Sequence, residues 1–282
     1  MPADRRIRPR WDRIGFLVVT AVTCVLLVRP LTSPPSEAAV AGRTGPTDPA
    51  SATAAAVPVV EASEPRPGCA AGSGGPVTSA PGAGRTVALT FDDGPSEWTV
   101  QVLDILDHYD IKATFFVVGS AAEAHPDVLS RVVAAGHQVG NHTWSHVPAP
   151  AGGASPEAWL AAQYDPTDAL LTRLSAADVC WYRPPRGEIG AAATVAADRG
   201  LGIAMWSVDS LDWQVQSGAE ADPDDNLRHT IGENAVAGLA EQHPIVLLHD
   251  GGGYRGATVA ALPYIIERYD NRGYDFVRID GR

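Results

Sequence analysis

The sequence predicts an α/β protein: a parallel sheet with helices packed outside it, curled into a closed or nearly closed barrel. Two observations carry the prediction. From Arg85 onward, seven short apolar runs alternate with helical stretches, and strand–helix alternation gives parallel sheets. Five polar clusters then stand at the ends of candidate strands, where parallel barrels gather their functional side chains.

The elements follow in order. The first strand is Thr86–Phe91, an apolar run stopped by two acids and the turn pair Gly94-Pro95, and a helix follows over Thr99–Tyr109. Next come strand Ala113–Val118 and helix Pro126–Ala135, then strand Gln138–Asn141 and helix Pro156–Leu174. Strand Trp181–Arg183 runs into two prolines, and helix Ala191–Arg199 leads to strand Gly202–Ser207. Helix Asp225–Glu241, the fully apolar strand Ile245–His249, helix Ala257–Tyr269 and strand Phe276–Ile279 complete the set. Runs this short, bounded by turn residues, read as buried strands, and the longer stretches between them read as helices.

The chain ahead of Arg85 is of another kind. Residues 1–13 hold five arginines, and the apolar run Ile14–Val28 follows. That run is short for a membrane span, which needs about 20 residues. A basic flank before a short apolar core is the pattern of an export signal. Residues 1–29 are therefore expected to be a signal peptide, with the small-residue site Ala39-Val40-Ala41 downstream, or a retained membrane anchor with its basic end inside. Residues 30–84, rich in Ala, Pro, Gly, Ser and Thr, cannot bury enough apolar surface to offset their ordering entropy. They are expected to be a disordered tether to a catalytic domain at 85–282. The expected location is extracellular or cell-surface, with membrane contact only through the N-terminal segment, and a monomer is expected.

Charge divides the chain in the same way. Residues 1–84 hold eight basic and six acidic residues, and residues 85–282 hold 13 and 27. A domain that acidic lacks the basic footprint of a nucleic-acid binder. Of the three cysteines, Cys24 lies in the apolar segment; Cys69 and Cys180 either pair in an oxidising compartment or remain free thiols.

Chemistry is concentrated in five clusters. "TFDDGP" places Asp92 and Asp93 side by side. Successive strand residues point to opposite faces, so only a bend at the turn brings both carboxylates to one rim; the plainer reading is a turn-forming acid pair. "NHTWSH" sets His142 and His146 four apart, a spacing that on a helical turn puts both imidazoles on one side. Two histidines and one carboxylate form a known zinc set with open positions, and Asp92 or Asp93 could be the third ligand. In "RPPRG", two prolines stiffen the backbone behind Arg183. "DSLDW" spans Asp209–Trp213, and "IVLLHDG" ends an apolar strand at His249-Asp250.

With their order, these motifs resemble the polysaccharide deacetylases, the NodB-homology domain or carbohydrate esterase family four. "IKATFFVVG" and "GHQVGNH" look like the peptidoglycan N-acetylglucosamine deacetylases in particular. The resemblance covers residues 85–280 and implies a distorted (β/α)7 barrel. It also implies roles: Asp92 as general base, Asp93 with His142 and His146 as metal triad, Arg183 pairing with Asp92, His249 as general acid tuned by Asp212, and Trp213 and Leu247 walling the acetyl pocket. The implied cofactor is a divalent metal, Zn²⁺ first and Co²⁺ or Mn²⁺ as alternatives. One position departs: Arg186 stands where the family usually has an aromatic residue. Its backbone N–H is still expected to help hold the oxyanion. The implied reaction removes N-acetyl groups from a polysaccharide containing N-acetylglucosamine, with peptidoglycan as the expected polymer. Chitin or chito-oligosaccharide, O-acetylated xylan, and a catalytically inactive wall-binding protein are the alternatives.

Overall fold

The structure is a computed structural model, and it describes residues 75–147, 155–215 and 225–281. The expected signal or anchor, Cys69 and most of the expected tether lie outside the described residues. Cys180 is half-buried and disulfide-bonded. Among the described residues, no helix is long and apolar enough to cross a membrane.

The elements in chain order are β1 (Thr86–Asp92), α1 (Glu97–His108), β2 (Thr114–Val117), α2 (Gly119–Ala124), α3 (Pro126–Ala134), β3 (Gln138–Asn141), α4 (Pro156–Ser175) and β4 (Trp181–Tyr182). Then follow α5 (Gly190–Asp198), β5 (Gly202–Ile203), β6 (Val208–Asp209), α6 (Asp225–Ala235), β7 (Ile245–His249), α7 (Gly256–Asp270) and β8 (Asp275–Phe276). The strands form one parallel sheet in the order β5-β4-β3-β2-β1-β7-β6, with β8 paired to the start of β1. β5 and β6 are neighbours in sequence yet end the sheet on opposite sides. The result is a curled, incompletely closed α/β barrel.

Strand alternation builds two cores from one sequence. Along β1, Val87, Leu89 and Phe91 face the helices, in one cluster with Leu103 and Leu106 of α1 and Leu262 and Ile266 of α7. Ala88, between them, joins Phe116, Trp181 and Ile245 in a second cluster on the other face. β7 repeats the pattern: Val246 and Leu248 are in the first cluster, Ile245 in the second. Both faces of these strands are buried, which explains why they read as unbroken apolar runs. The inner face changes character toward the strand ends, where Asp92 and His249 stand in register.

Several boundaries differ from expectation. The strand expected over Gly202–Ser207 is shortened to β5, and β6 is a further strand beyond it, because Met205 and Trp206 lie in the crossing between the two sheet ends. The last strand is Asp275–Phe276 rather than Phe276–Ile279, and α6 gives way to a 3-10 turn at Val236. The domain also takes in residues upstream of the expected boundary at Arg85. Val77 bridges to Ala204 and Ser79 to Pro244, and Ala80 is buried. The Val77 N–H donates to Ile203 at 2.8 Å, so this segment satisfies an edge that the open barrel would leave bare.

Phe91 stacks on Phe115 with ring centroids 5.1 Å apart in the centre of the larger core. We expect Phe91→Ala to lower stability by about 3–5 kcal/mol, the usual cost of emptying a buried aromatic site. Chemical denaturation checks it, and a loss under about 1 kcal/mol would mean the site collapses around the gap.

Candidate active site

The inner face of the curled sheet opens at the carboxyl ends of its strands into a cleft of about 820 Å³. Asp92, Asp93, His142, His146, Arg186, Trp213, Leu247 and His249 all line it. Seven of the eight come from the sequence clusters at or just beyond the ends of β1, β3, β4, β6 and β7; Leu247 lies within β7. Arg183 and Asp212, buried beneath the lining, complete the set of predicted residues.

The paired acids separate because the backbone turns between them. Asp92 is the last residue of β1, and Asp93 takes a left-handed conformation with φ 75°. That bend lets neighbours in sequence face one cleft. Gly252 makes room: a Cβ there would lie 2.4 Å from Asp93 Oδ2.

Asp93 meets the two histidines. Its Oδ1 lies 3.5 Å from Nε2 of His142 and 3.5 Å from Nε2 of His146. The histidine pair does not sit on a helical turn, as the spacing suggested. Thr143 and His146 are left-handed, with φ 71° and 54°, and this irregular loop sets the imidazoles 4.9 Å apart. Asn141 organises it. Its side-chain oxygen accepts from the Thr143 N–H at 2.8 Å, and its amide nitrogen donates to Tyr164 O. Sequence reasoning missed this role, although an Asn two residues ahead of an irregular turn is itself a signal.

The donor set fits a cation. One ligand atom from each of Asp93, His142 and His146 lies within 4.8 Å of the others, so the three could hold a metal ion. Asp93 Oδ1 is buried and accepts no hydrogen bond, a costly state for a carboxylate oxygen unless something positive faces it. His142 Nδ1 lies 2.7 Å from Arg183 O. A carbonyl can only accept, so Nδ1 carries the proton and the Nε2 lone pair points at Asp93. Burial pushes the His142 pKa down to about 3, which keeps the ring neutral.

Asp92 is held from the opposite side. Arg183 is fully buried, and its Nη1 donates to Asp92 Oδ1 at 2.8 Å and to Thr90 Oγ1 at 2.9 Å. Its Nε and Nη2 donate to Ala204 O and Met205 O, both at 2.9 Å, and the guanidinium lies 4.0 Å above the Phe116 ring. Burial raises the Asp92 pKa above the usual carboxylate range, while Arg183 and His249 oppose the rise.

On the far wall, His249 Nδ1 lies 2.7 Å from Asp212 Oδ1. Asp212 Oδ2 accepts from the His249 N–H at 2.8 Å and from Thr258 Oγ1 at 2.8 Å. Burial alone would lower the His249 pKa. The Asp212 carboxylate outweighs it and raises the value to about 9, so the ring is cationic at neutral pH. Behind the turn, buried Asp250 accepts from Thr99 Oγ1 at 2.6 Å, and burial pushes its pKa up to about 7. Thr258 and Thr90 were not singled out from the sequence, since they sit in elements with ordinary apolar patterns; Asp250 was quoted beside His249 but given no role.

Leu247 is buried in the floor of the cleft, and Trp213 stands at its edge with 43 % of its surface exposed. A cavity with a two-histidine, one-carboxylate corner, a pinned second carboxylate and a cationic histidine can polarise a carbonyl, accept one proton and donate another.

Comparison with known proteins bears on this geometry. Residues 79–206 match the family described as polysaccharide deacetylase. A Bacillus cereus protein named peptidoglycan-N-acetylglucosamine deacetylase is 37% identical over 196 residues, covering 68% of this chain and 66% of the relative. A Listeria monocytogenes protein named peptidoglycan-N-acetylglucosamine deacetylase PgdA is 35% identical over 203 residues, covering 70% of this chain and 38% of the relative. The chain thus spans less than two thirds of the length of either. The solved structure of peptidoglycan deacetylase PdaC from Bacillus subtilis has a TM-score of 0.58 at 30% identity, covering 70% of this chain and 89% of that one. At this identity and coverage, the chain belongs to the polysaccharide deacetylase family.

Proposed function

We propose that the protein is a metal-dependent hydrolase that removes N-acetyl groups from a polysaccharide containing N-acetylglucosamine, with peptidoglycan as its polymer. Acetate leaves and a free sugar amine remains. The single observation that carries the reading is the division of labour between adjacent acids. Asp93 turns a bare buried oxygen toward two histidines, while Asp92 is pinned by Arg183.

Asp93, His142 and His146 would hold a divalent cation, Zn²⁺ first from the mixed nitrogen and oxygen donors. When bound, the cation supplies Lewis acidity to the acetyl group and to water. Asp92, its carboxylate fixed by Arg183, accepts the proton of the attacking water. The raised pKa of Asp92 makes it a stronger base than an ordinary carboxylate. The Arg186 N–H would serve the oxygen that becomes negative, and Leu247 and Trp213, which line the same cleft, would enclose the acetyl methyl. His249 donates its proton to the sugar nitrogen, which could not depart as an amide anion. Asp212 keeps His249 charged and oriented for that step. The basic, apolar N-terminus and the tether-like composition behind it support export, which would place this chemistry at the cell wall.

The function is tested by mass spectrometry of peptidoglycan, chitin oligomers and O-acetylated xylan incubated with the cation-loaded protein. We expect acetyl loss from peptidoglycan. Loss from xylan alone would make the enzyme an esterase, and no loss from any polymer would leave a wall-binding protein. Asp92→Asn should bind the cation nearly as the parent does, by calorimetry, yet turn over about 10²–10⁴-fold more slowly; equal loss of cation binding would overturn the assignment of roles. Because His249 acts protonated, activity should fall as pH rises through about 9. Asp212→Asn removes the group that raises that value, so the alkaline limb should move down by about one pH unit or more. An unmoved limb would take His249 out of the proton transfer.

A further inference from the structure

Arg186 adopts a backbone conformation that its own side chain does not favour. Its φ of 58° and ψ of 11° lie in the left-handed region, where Cβ contacts disfavour L residues and Gly or Asn is the ordinary choice. The turn around it is tightly held. Pro184 and Pro185 precede it, and a Cβ on Gly187 would lie 2.9 Å from the Trp206 ring. The turn itself serves the backbone N–H assigned to the oxyanion; the long cationic side chain carried there is a separate feature.

The surroundings of that side chain suggest a use for it. Arg186 is exposed and lines the cleft together with Trp206, Asp209 and Trp213. The other two arginines of the site are committed: Arg183 to Asp92 and backbone carbonyls, Arg255 to Gly251 O and Asp212 O. Among the described residues, the Arg186 guanidinium has no hydrogen-bond or ion-pair partner. Residues 85–282 hold 27 acidic and 13 basic residues, a surplus that repels anionic polymers at range. A free guanidinium beside the reacting groups is a local exception to that field.

We propose that Arg186 is a specificity residue. It receives a carboxylate carried by the sugar next to the N-acetyl group that is hydrolysed, and so selects anionic over neutral acetylated polysaccharide. A guanidinium fork matches a carboxylate with two charge-assisted hydrogen bonds. A glycan strand whose alternate sugars bear a lactyl ether offers such a carboxylate, whereas chitin does not. The proposal rests on the deacetylase reading and narrows its substrate class.

Two oligosaccharides of equal length test it: a neutral N-acetylchito-oligosaccharide, and a peptide-free glycan strand with alternating lactyl-bearing sugars. The cation-loaded parent, Arg186→Gln and Arg186→Lys are compared by the ratio of kcat/KM, anionic over neutral. We expect the ratio to fall about tenfold in Arg186→Gln and to recover in part in Arg186→Lys. Raising salt to about 0.5 M should lower the parent ratio relative to that of Arg186→Gln, in which only the long-range repulsion remains to be screened. A ratio unchanged by Arg186→Gln, or equal losses on both substrates, would overturn the proposal. Calorimetric binding of the same two oligosaccharides separates this inference from the catalytic one. If neither is deacetylated but the parent prefers the anionic strand and Arg186→Gln does not, the activity falls and Arg186 keeps its role. Absence of any binding preference in the parent overturns the Arg186 proposal whatever the turnover.

Discussion

The buried pair between Arg183 and Asp92 is the constraint on which the site depends. Arg183 follows β4 and Asp92 ends β1, three positions apart in the sheet order. Only a curled sheet brings them to 2.8 Å. A buried guanidinium is expensive to desolvate. Here it is surrounded by acceptors from β1 and from the crossing after β5, with the face of Phe116 on β2 beneath it. Four segments are thereby tied to one cation. Leaving that charge without Asp92 would cost about 3–5 kcal/mol, so the curl and the orientation of Asp92 are maintained together. The backbone of the same residue also serves the neighbouring corner, since Arg183 O fixes the tautomer of His142.

That arrangement resolves the difficulty of two adjacent carboxylates. Strand geometry alone would send Asp92 and Asp93 to opposite faces. The left-handed turn at Asp93 brings its oxygen to the histidines instead, and the glycines after β7 leave space for it. One carboxylate then has an internal counter-ion and the other has none. The asymmetry is what a hydrolytic site with one ligand and one base requires, and it comes from backbone conformation rather than from residue type.

Much of this was legible in the sequence, for a physical reason. A strand buried on both faces must be apolar, so a polar cluster at its end stands out, as Asp92-Asp93 and His249 do. The positions of Arg183, Asp212 and Trp213 could be read for the same reason. The two-histidine loop could not: its spacing suggested a helical turn, and the actual turn depends on left-handed Thr143 and His146, which no periodicity reveals. α2, with the sequence GSAAEA, was missed because it has no apolar stripe. Val77 and Ala80 looked like tether because a short edge pairing needs few apolar residues. The supporting roles of Thr258 and Asp250 were hidden because such a side chain is recognised by what it touches, and sequence spacing carries no trace of the contacts of Thr258 with Asp212 or of Asp250 with Thr99.

The two histidine sites show how far a partner atom decides chemistry. His142 and His249 are both buried, and burial alone pushes each toward neutrality. Their Nδ1 atoms face acceptors at the same distance, 2.7 Å, but one acceptor is a backbone carbonyl and the other a carboxylate. A carbonyl fixes the tautomer without adding enough charge to hold a second proton, so His142 stays neutral and keeps a lone pair for a cation. Asp212 brings a full negative charge, itself kept ionised by His249 and Thr258, and His249 stays protonated. Identical side chains lining one cleft thus end neutral and charged. The difference lies in the acceptor behind each ring: a substitution can remove the Asp212 carboxylate, whereas the Arg183 carbonyl belongs to the backbone and stays whatever side chain the residue carries.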